Sequence, residues 1–393
     1  MTKYGNGINK LRILIFVAYN ITYVFFKVGM IQQSINLVLL SLFCIINIFL
    51  YLNDRGSLKF RKGKFYKEFT LGMAACCVII VISLIIQVKN DNYQMYLFES
   101  VFHIIIPLVN AYFWINTTQK EERNVYFYIF FIRFLIHFII DNSGNLSLTN
   151  ILSISWNNSK SSIFESSNAH DFLMLLMYFK YRGNKIMSIL CMFLCMVSFK
   201  RLSFVLAPLL FICYEMIPKK EVNKVLLATT KIIVMLTPFI ILILISDETM
   251  SYVYSQYGFS VADFITGRVT LIKSVSDNLF DLNGFGSIQT IMSKSSIKFV
   301  REVGSMHCDI LSLYWETTII GLIVFVNNMF EIVKKDYRAY FMMIYTFSVI
   351  ITSHFLDYIS AWLIMLMVIA IMYEEKNKSE IKSVRRKIKI KFK

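Results

Sequence analysis

Long apolar runs alternate with short polar breaks from the first dozen residues to about position 373. Twelve runs have the pattern expected of membrane-spanning helices: roughly 11–26, 35–52, 69–88, 97–115, 125–140, 164–179, 186–199, 202–217, 225–245, 309–330, 339–353 and 358–373. Several fall short of the ~20 residues that cross a bilayer alone, which suits helices packed against protein rather than lipid. The opening MTKYGNGINKLR leads straight into the first run, so a first span is expected there rather than a cleavable signal.

Two polar intervals are long. Residues 141–163 are Ser/Asn-rich and nearly uncharged, whereas 246–308 is large enough to fold, and loops of that length are usually functional. Within the second, Val261 to Val275 places apolar residues at helical spacing, predicting an amphipathic helix on a membrane interface. Asn283-Gly284-Phe285-Gly286 then breaks the pattern as a turn. The expected organisation is nine spans over 1–245, a large extracytoplasmic loop over 246–308, three spans over 309–373 and a basic tail over 374–393.

Composition agrees with this division. The 393 residues are 56% hydrophobic and 16% aromatic, with 17% charged against the ~25% of soluble domains, so an all-α polytopic integral membrane protein is expected. Most of the 41 lysines and arginines lie in segments that an inside N-terminus makes cytoplasmic. The outer segments hold Lys27, Lys89, Lys160, Lys200-Arg201 and five cations from Arg268 to Arg301. The positive-inside rule therefore places both termini in the cytoplasm. The net charge of +16 is mainly a topology signal, and the basic tail suits anionic lipid rather than nucleic acid. Of the seven cysteines, all but Cys308 lie in apolar runs, where the residue acts as a small hydrophobe. Neither a disulfide framework nor a metal site is expected.

Few residues are left to carry chemistry. Lys200-Arg201 divides the apolar stretch from Ile186 to Ile217 into two short halves, and charges there either mark the turn or form an outward anion site. Arg268 follows Gly267 early in the large loop and offers a second outward cation. His307 follows the Gly304-Ser305 turn at the start of the next run, where an imidazole either satisfies a helix start or serves as a base near neutral pH. Asp309, two residues on, would not share a helix face with His307 and is a weak candidate to orient it. His354 and Asp357 occupy a short outer turn and are placed to face the same cavity; His103, His137 and His170-Asp171 lack metal spacing and read as structural. Arg133 lies mid-span, either functional or paired with Glu99 or Glu165. No P-loop, GxGxxG or GxSxG motif occurs, which excludes a soluble-type nucleotide enzyme.

At these residues the chain resembles the O-antigen polymerase/ligase superfamily, and within it the Wzy-type polymerases of capsule or exopolysaccharide repeat units. The resemblance rests on a serine-basic-arginine corner (Ser198-Phe199-Lys200-Arg201-Leu202), on Gly267-Arg268, and on a glycine turn followed by a histidine, an acid and a glycine (Gly284-Phe285-Gly286, His307, Glu316, Gly321). Two positions depart from the pattern: Cys308 stands where the family often has Asn, and Thr318 where it often has Gly. The resemblance implies a GT-C-like, all-α fold of about twelve spans in the bacterial cytoplasmic membrane. It implies en bloc transfer of a glycan from undecaprenyl diphosphate to a hydroxyl of the next lipid-linked repeat, without metal, nucleotide or other cofactor. Arg201, Arg268 and Lys200 would hold the diphosphate and His307 would be catalytic, with Asp309, Glu316, His354 and Arg133 in support. Implied partners are the lipid-linked oligosaccharide, membrane lipid, and a flippase and chain-length regulator of the same pathway. A ligase of the same superfamily and a transporter of the lipid-linked unit are the alternative readings.

Overall fold

A computed structural model describes the backbone of residues 3–54, 63–92, 97–145, 147, 149–150, 168–198, 200–258, 260–261 and 268–391, with side chains except in 3–6, 54, 97–99, 201 and 377–391. Expectations for 151–163, Glu165, Phe199 and Gly267, and for the side chains of Glu99, Arg201 and the tail beyond 376, fall outside the described residues.

The described residues are helical, without strands. In chain order the helices are α1 (Lys3–Lys27), α2 (Gln33–Asp54), α3 (Tyr66–Lys89), α4 (Leu97–Thr117), α5 (Arg123–Asp141), α6 (Asn168–Tyr181), α7 (Lys185–Val197), α8 (Arg201–Cys213) and α9 (Lys224–Leu244). Then come α10 (Asp247–Tyr257), α11 (Arg268–Ser276), α12 (Ser287–Ser293), α13 (Lys298–Val303), α14 (Asp309–Val333), α15 (Tyr337–Thr352) and α16 (Ile359–Lys391). A helix occupies each of the twelve predicted runs, but seven are long and apolar enough to cross a membrane: α1 to α5, α9 and α14. Four of the other five are short, α7 and α8 with 13 residues each, α6 with 14 and α15 with 16, while α16 runs from an apolar start into the charged tail. The expected amphipathic helix is described from Arg268 to Ser276 only.

The chain forms two compact units. Unit 1 holds α1, α2, the end of α4, α5 to α8 and α16. Its sequence is apolar on every side of α6, and α6 is accordingly buried from Asn168 to Phe179. Aromatic rings fill the space beside α1: Phe16 lies 4.9 Å from each of Phe43, Tyr126 and Phe130 by ring centroids. Buried charges near the helix ends are paired, Arg12 with Glu122 at 3.3 Å and Arg123 with Glu374. Arg133 is buried with its guanidinium 4.0 Å from the ring centroids of Tyr23 and Phe134, so aromatic faces take up its charge.

Unit 2 holds nearly all of α3, the start of α4, and α9 to α15. Its long helix α14 packs against α9 and α15. Lys231, an unexpected cation in α9, meets Glu331 at 2.7 Å and Asn327 at 2.9 Å on α14. Lys335 pairs with the buried Glu68 of α3 at 2.6 Å. The stretch 246–308 is not one loop but a series of short helices, and this series carries the candidate site.

Candidate functional site

The site is built around a glycine turn. Gly284 and Gly286 have φ of 104° and 95°, which residues with a Cβ rarely adopt. A Cβ on Gly284 would lie 2.7 Å from that of Ser83 in α3, so glycine also permits the close approach. Ser83 Oγ accepts a hydrogen bond from the Phe285 N–H at 3.0 Å. From the other side the buried Glu316 carboxylate accepts from the N–H of Ile288 at 2.7 Å and from that of Gly286. The acid suggested by the family pattern thus clamps the turn, satisfying amides at the start of α12 that the helix cannot satisfy itself.

Beside the turn lies a small pocket lined by Gly286, Ile288, Gln289, Ser305, Met306 and the acid–imidazole group of Asp309, Glu316, His354 and Asp357. Asp309 opens α14 after the non-helical Cys308 (φ −152°, ψ 72°), and its carboxylate reaches the α15–α16 turn. There Asp309 accepts from His354 Nδ1 at 2.8 Å, from the Leu356 N–H at 2.6 Å and from the Phe355 N–H. Asp309 thus orients His354, a partner that the sequence did not suggest for it. His354 Nε2 faces Asp357 Oδ2 at 3.3 Å, and Gln289 donates to the same oxygen at 3.1 Å. His103 Nδ1 sits 3.4 Å from the other Asp357 oxygen.

Electrostatics follow from this geometry. Burial works against charge on His354, but the Asp309 and Asp357 carboxylates outweigh it and hold the imidazole pKa well above its ordinary value. Burial likewise opposes ionisation of Asp357, yet the imidazoles of His103 and His354 keep its carboxyl far below the usual range. His354 is thus a cation locked between two carboxylates. Cys308, the departure from the family's Asn, is buried: burial pushes its thiol up to about 12, Asp309 adds to that, and the Arg268 guanidinium opposes it. The thiol is no nucleophile. Arg268 itself is half-buried at the start of α11.

His307 itself is half-buried, with φ of 51°. Left-handed backbone is uncommon for a non-glycine residue and is found where surrounding structure holds it in place. Met306, just before it, and Asp309, two residues after it, line the pocket, whereas His307 is not among the lining residues.

Unit 2 therefore brings together Arg268, His307, Asp309, Glu316 and His354 among the expected residues. Lys200, Arg201 and Arg133 belong to unit 1. There α7 ends at Val197 and α8 begins at Arg201, forming the expected corner, and Lys200 lies near His170. Ser83, Gln289 and His103 were missed as site residues; they sit in apolar or unremarkable contexts, and only the fold draws them in. No group of three or more His, Cys, Asp or Glu suited to a metal ion occurs among the described residues. No protein-family model, curated protein or solved structure matches the chain.

Proposed function

We propose that the protein is a metal-independent membrane glycosyltransferase that polymerises undecaprenyl-diphosphate-linked oligosaccharide repeats at the outer face of the bacterial cytoplasmic membrane. The observation that carries this reading is the presence in one unit of a half-buried arginine, a histidine with positive φ and a buried carboxylate–imidazolium pair beside a glycine turn. His354 is held between Asp309 and Asp357 and His103 faces Asp357, and we assign the role of base to His307.

In this reaction His307 takes the proton of the acceptor sugar hydroxyl as its oxygen bonds to the anomeric carbon of the donor. The bond from that carbon to the diphosphate oxygen breaks, and the diphosphate leaves with the bonding electrons. Arg268 offsets the charge that grows on it, an interaction stronger in the transition state than in the ground state. Asp309, His354 and Asp357 fix the turn that carries His307, and Glu316 fixes the glycine turn beside it. Arg201 and Lys200 remain the proposed donors to lipid diphosphate from unit 1. The transporter alternative drew on Arg133, and the aromatic cage around that residue favours a structural role instead.

Purified protein in liposomes with lipid-linked repeats is the test. A ladder of elongated glycans is expected, with Arg268→Ala and His307→Ala each reducing elongation by ~10²–10⁴-fold. Arg201→Ala is expected to act similarly and Arg201→Lys to recover only part, since an ammonium lacks the planar fork. Flipping of the lipid-linked unit without elongation would overturn the reading.

A further inference from the structure

A second cavity in unit 2 has a different character from the acid–imidazole pocket. It is an open cleft of ≈ 910 Å³ bounded by the end of α3, α11, α12 and the turn between the latter two. Its principal lining side chains are amides and carboxylates: Asn90, Asn92, Asp277, Asn278, Asp281 and Asn283. Between them stands Phe280, also a lining residue and 100% exposed.

An aromatic ring left wholly in water forgoes roughly 1.5–3 kcal/mol of burial, so its position on the rim of a polar cleft calls for an occupant. Insertion into lipid does not suit it. Interfacial aromatics are accompanied by clusters of Lys or Arg that meet anionic headgroups, whereas Phe280 is flanked by Asp277, Asn278 and Asp281, and Lys294 is the cationic residue lining the cleft. A ligand that matches has hydroxyls all round and an apolar C–H face. Asn side chains donate and accept, carboxylates accept from paired hydroxyls, and an aromatic ring covers the C–H face. The cleft is wide enough for several sugar rings and lies within the size range of built ligand sites.

The walls are preorganised. Asn90 Nδ2 donates to the Leu282 carbonyl at 3.0 Å, Asn283 Nδ2 to that of Asn92, and Asn278 Nδ2 to that of Ser274 at 2.7 Å. These bonds, with a further contact from Asn90 Nδ2 to Asn283 Oδ1 at 3.5 Å, fix the amide planes. Helix α12 is the shared wall: Ser287, Thr290 and Ile291 line the cleft, while Ile288 and Gln289 line the acid–imidazole pocket.

We infer that this cleft is an oligosaccharide-binding site, with Phe280 as the stacking platform for a sugar ring. As the glycan subsite of the transferase, it rests on the reading above; as a carbohydrate site it stands without it.

The test uses the full-length protein in nanodiscs and saturation-transfer NMR with tetra- to hexasaccharides of glucose, galactose and N-acetylglucosamine. At least one probe is expected to bind, and Phe280→Ala to weaken it roughly tenfold. Truncating a fully exposed ring removes no packing, so an unchanged melting temperature is expected alongside. Asp281→Asn is a second variant, expected to weaken the same probe. No binding by any probe, or equal binding by Phe280→Ala, overturns the proposal. So does quenching of Phe280→Trp by brominated lipid, measured against the wild-type tryptophan signal, because that places the ring in the bilayer. The two readings separate cleanly: sugar binding lost in Phe280→Ala without any elongation in liposomes leaves the cleft and removes the transferase. Elongation that depends on Arg268 but not on Phe280, with no probe bound, does the reverse.

Discussion

His354 donates from Nδ1 to Asp309 and from Nε2 to Asp357, and an imidazole does both only as the cation. Its folded pKa lies above the ordinary 6.5, so the stability it contributes is complete below that value and is lost as pH rises through the raised one. Asp357 runs the other way: its contribution is present above its ordinary 3.8 and lost as pH falls through the depressed folded value. The melting temperature of the purified protein should therefore be flat near pH 5 to 6 and decline on the alkaline side. His354→Gln should lower the plateau and flatten that decline. Parallel profiles for the two proteins would show that the pair does not couple to folding. These partners were half legible beforehand. His354 and Asp357 share a short turn and could be suspected together, whereas Asp309 reaches them across 45 residues of intervening chain. The spacing rule that set Asp309 apart from His307 on a helix offers no view of such a tertiary partner.

Helix α14 shows how a single element serves both scaffold and site. Thr318 interrupts it with φ of 62° and ψ of 178°, a conformation that only glycine adopts without strain. Just after the break, a Cβ on Gly321 would lie 2.2 Å from Thr317 Oγ1, so the following turn packs too closely for any side chain. Glycine, which the resemblance would place at Thr318, suits this geometry, and the chain has threonine there. Strain of this kind costs about 1–3 kcal/mol, and the extra freedom that glycine gives the unfolded chain costs ~0.4–1 kcal/mol. Thr318→Gly should accordingly stabilise the protein by about 1 kcal/mol, seen as a higher melting temperature, while Thr318→Ala should not. A lower melting temperature in Thr318→Gly would mean that the threonine's own contacts outweigh its backbone. At this scale the sequence was informative about where helices lie, because apolar periodicity reports burial directly. It was uninformative about Phe280 and the cleft, because a lone aromatic among Asp and Asn reads as an ordinary loop.

At the scale of the whole molecule, seven helices long and apolar enough to cross a membrane make this a helical membrane protein. Four of the remaining predicted spans are shorter helices, and length alone does not tell a crossing from a buried segment such as α6. Charge supplies an independent test. A phosphatase fused within 246–308 should be active and one fused beyond Lys376 inactive, if the cations are arranged as the positive-inside rule requires. The opposite pattern would put the acid–imidazole pocket on the cytoplasmic side and end the case for outer-face polymerisation.

The clamp on Asp309 also imposes an order of events during synthesis. The carboxylate leaves the ribosome 46 residues before the Phe355 amide that it accepts from, and 47 before that of Leu356. At ~5–20 residues per second, this leaves it without those partners for roughly two to nine seconds. The glycine turn at Gly284 to Gly286 is likewise made before Glu316 exists to hold it. A nascent chain in the membrane therefore carries the arginine, the histidine and the cleft in sequence but not in register. The acid–imidazole group is completed only when the turn between α15 and α16 has been made.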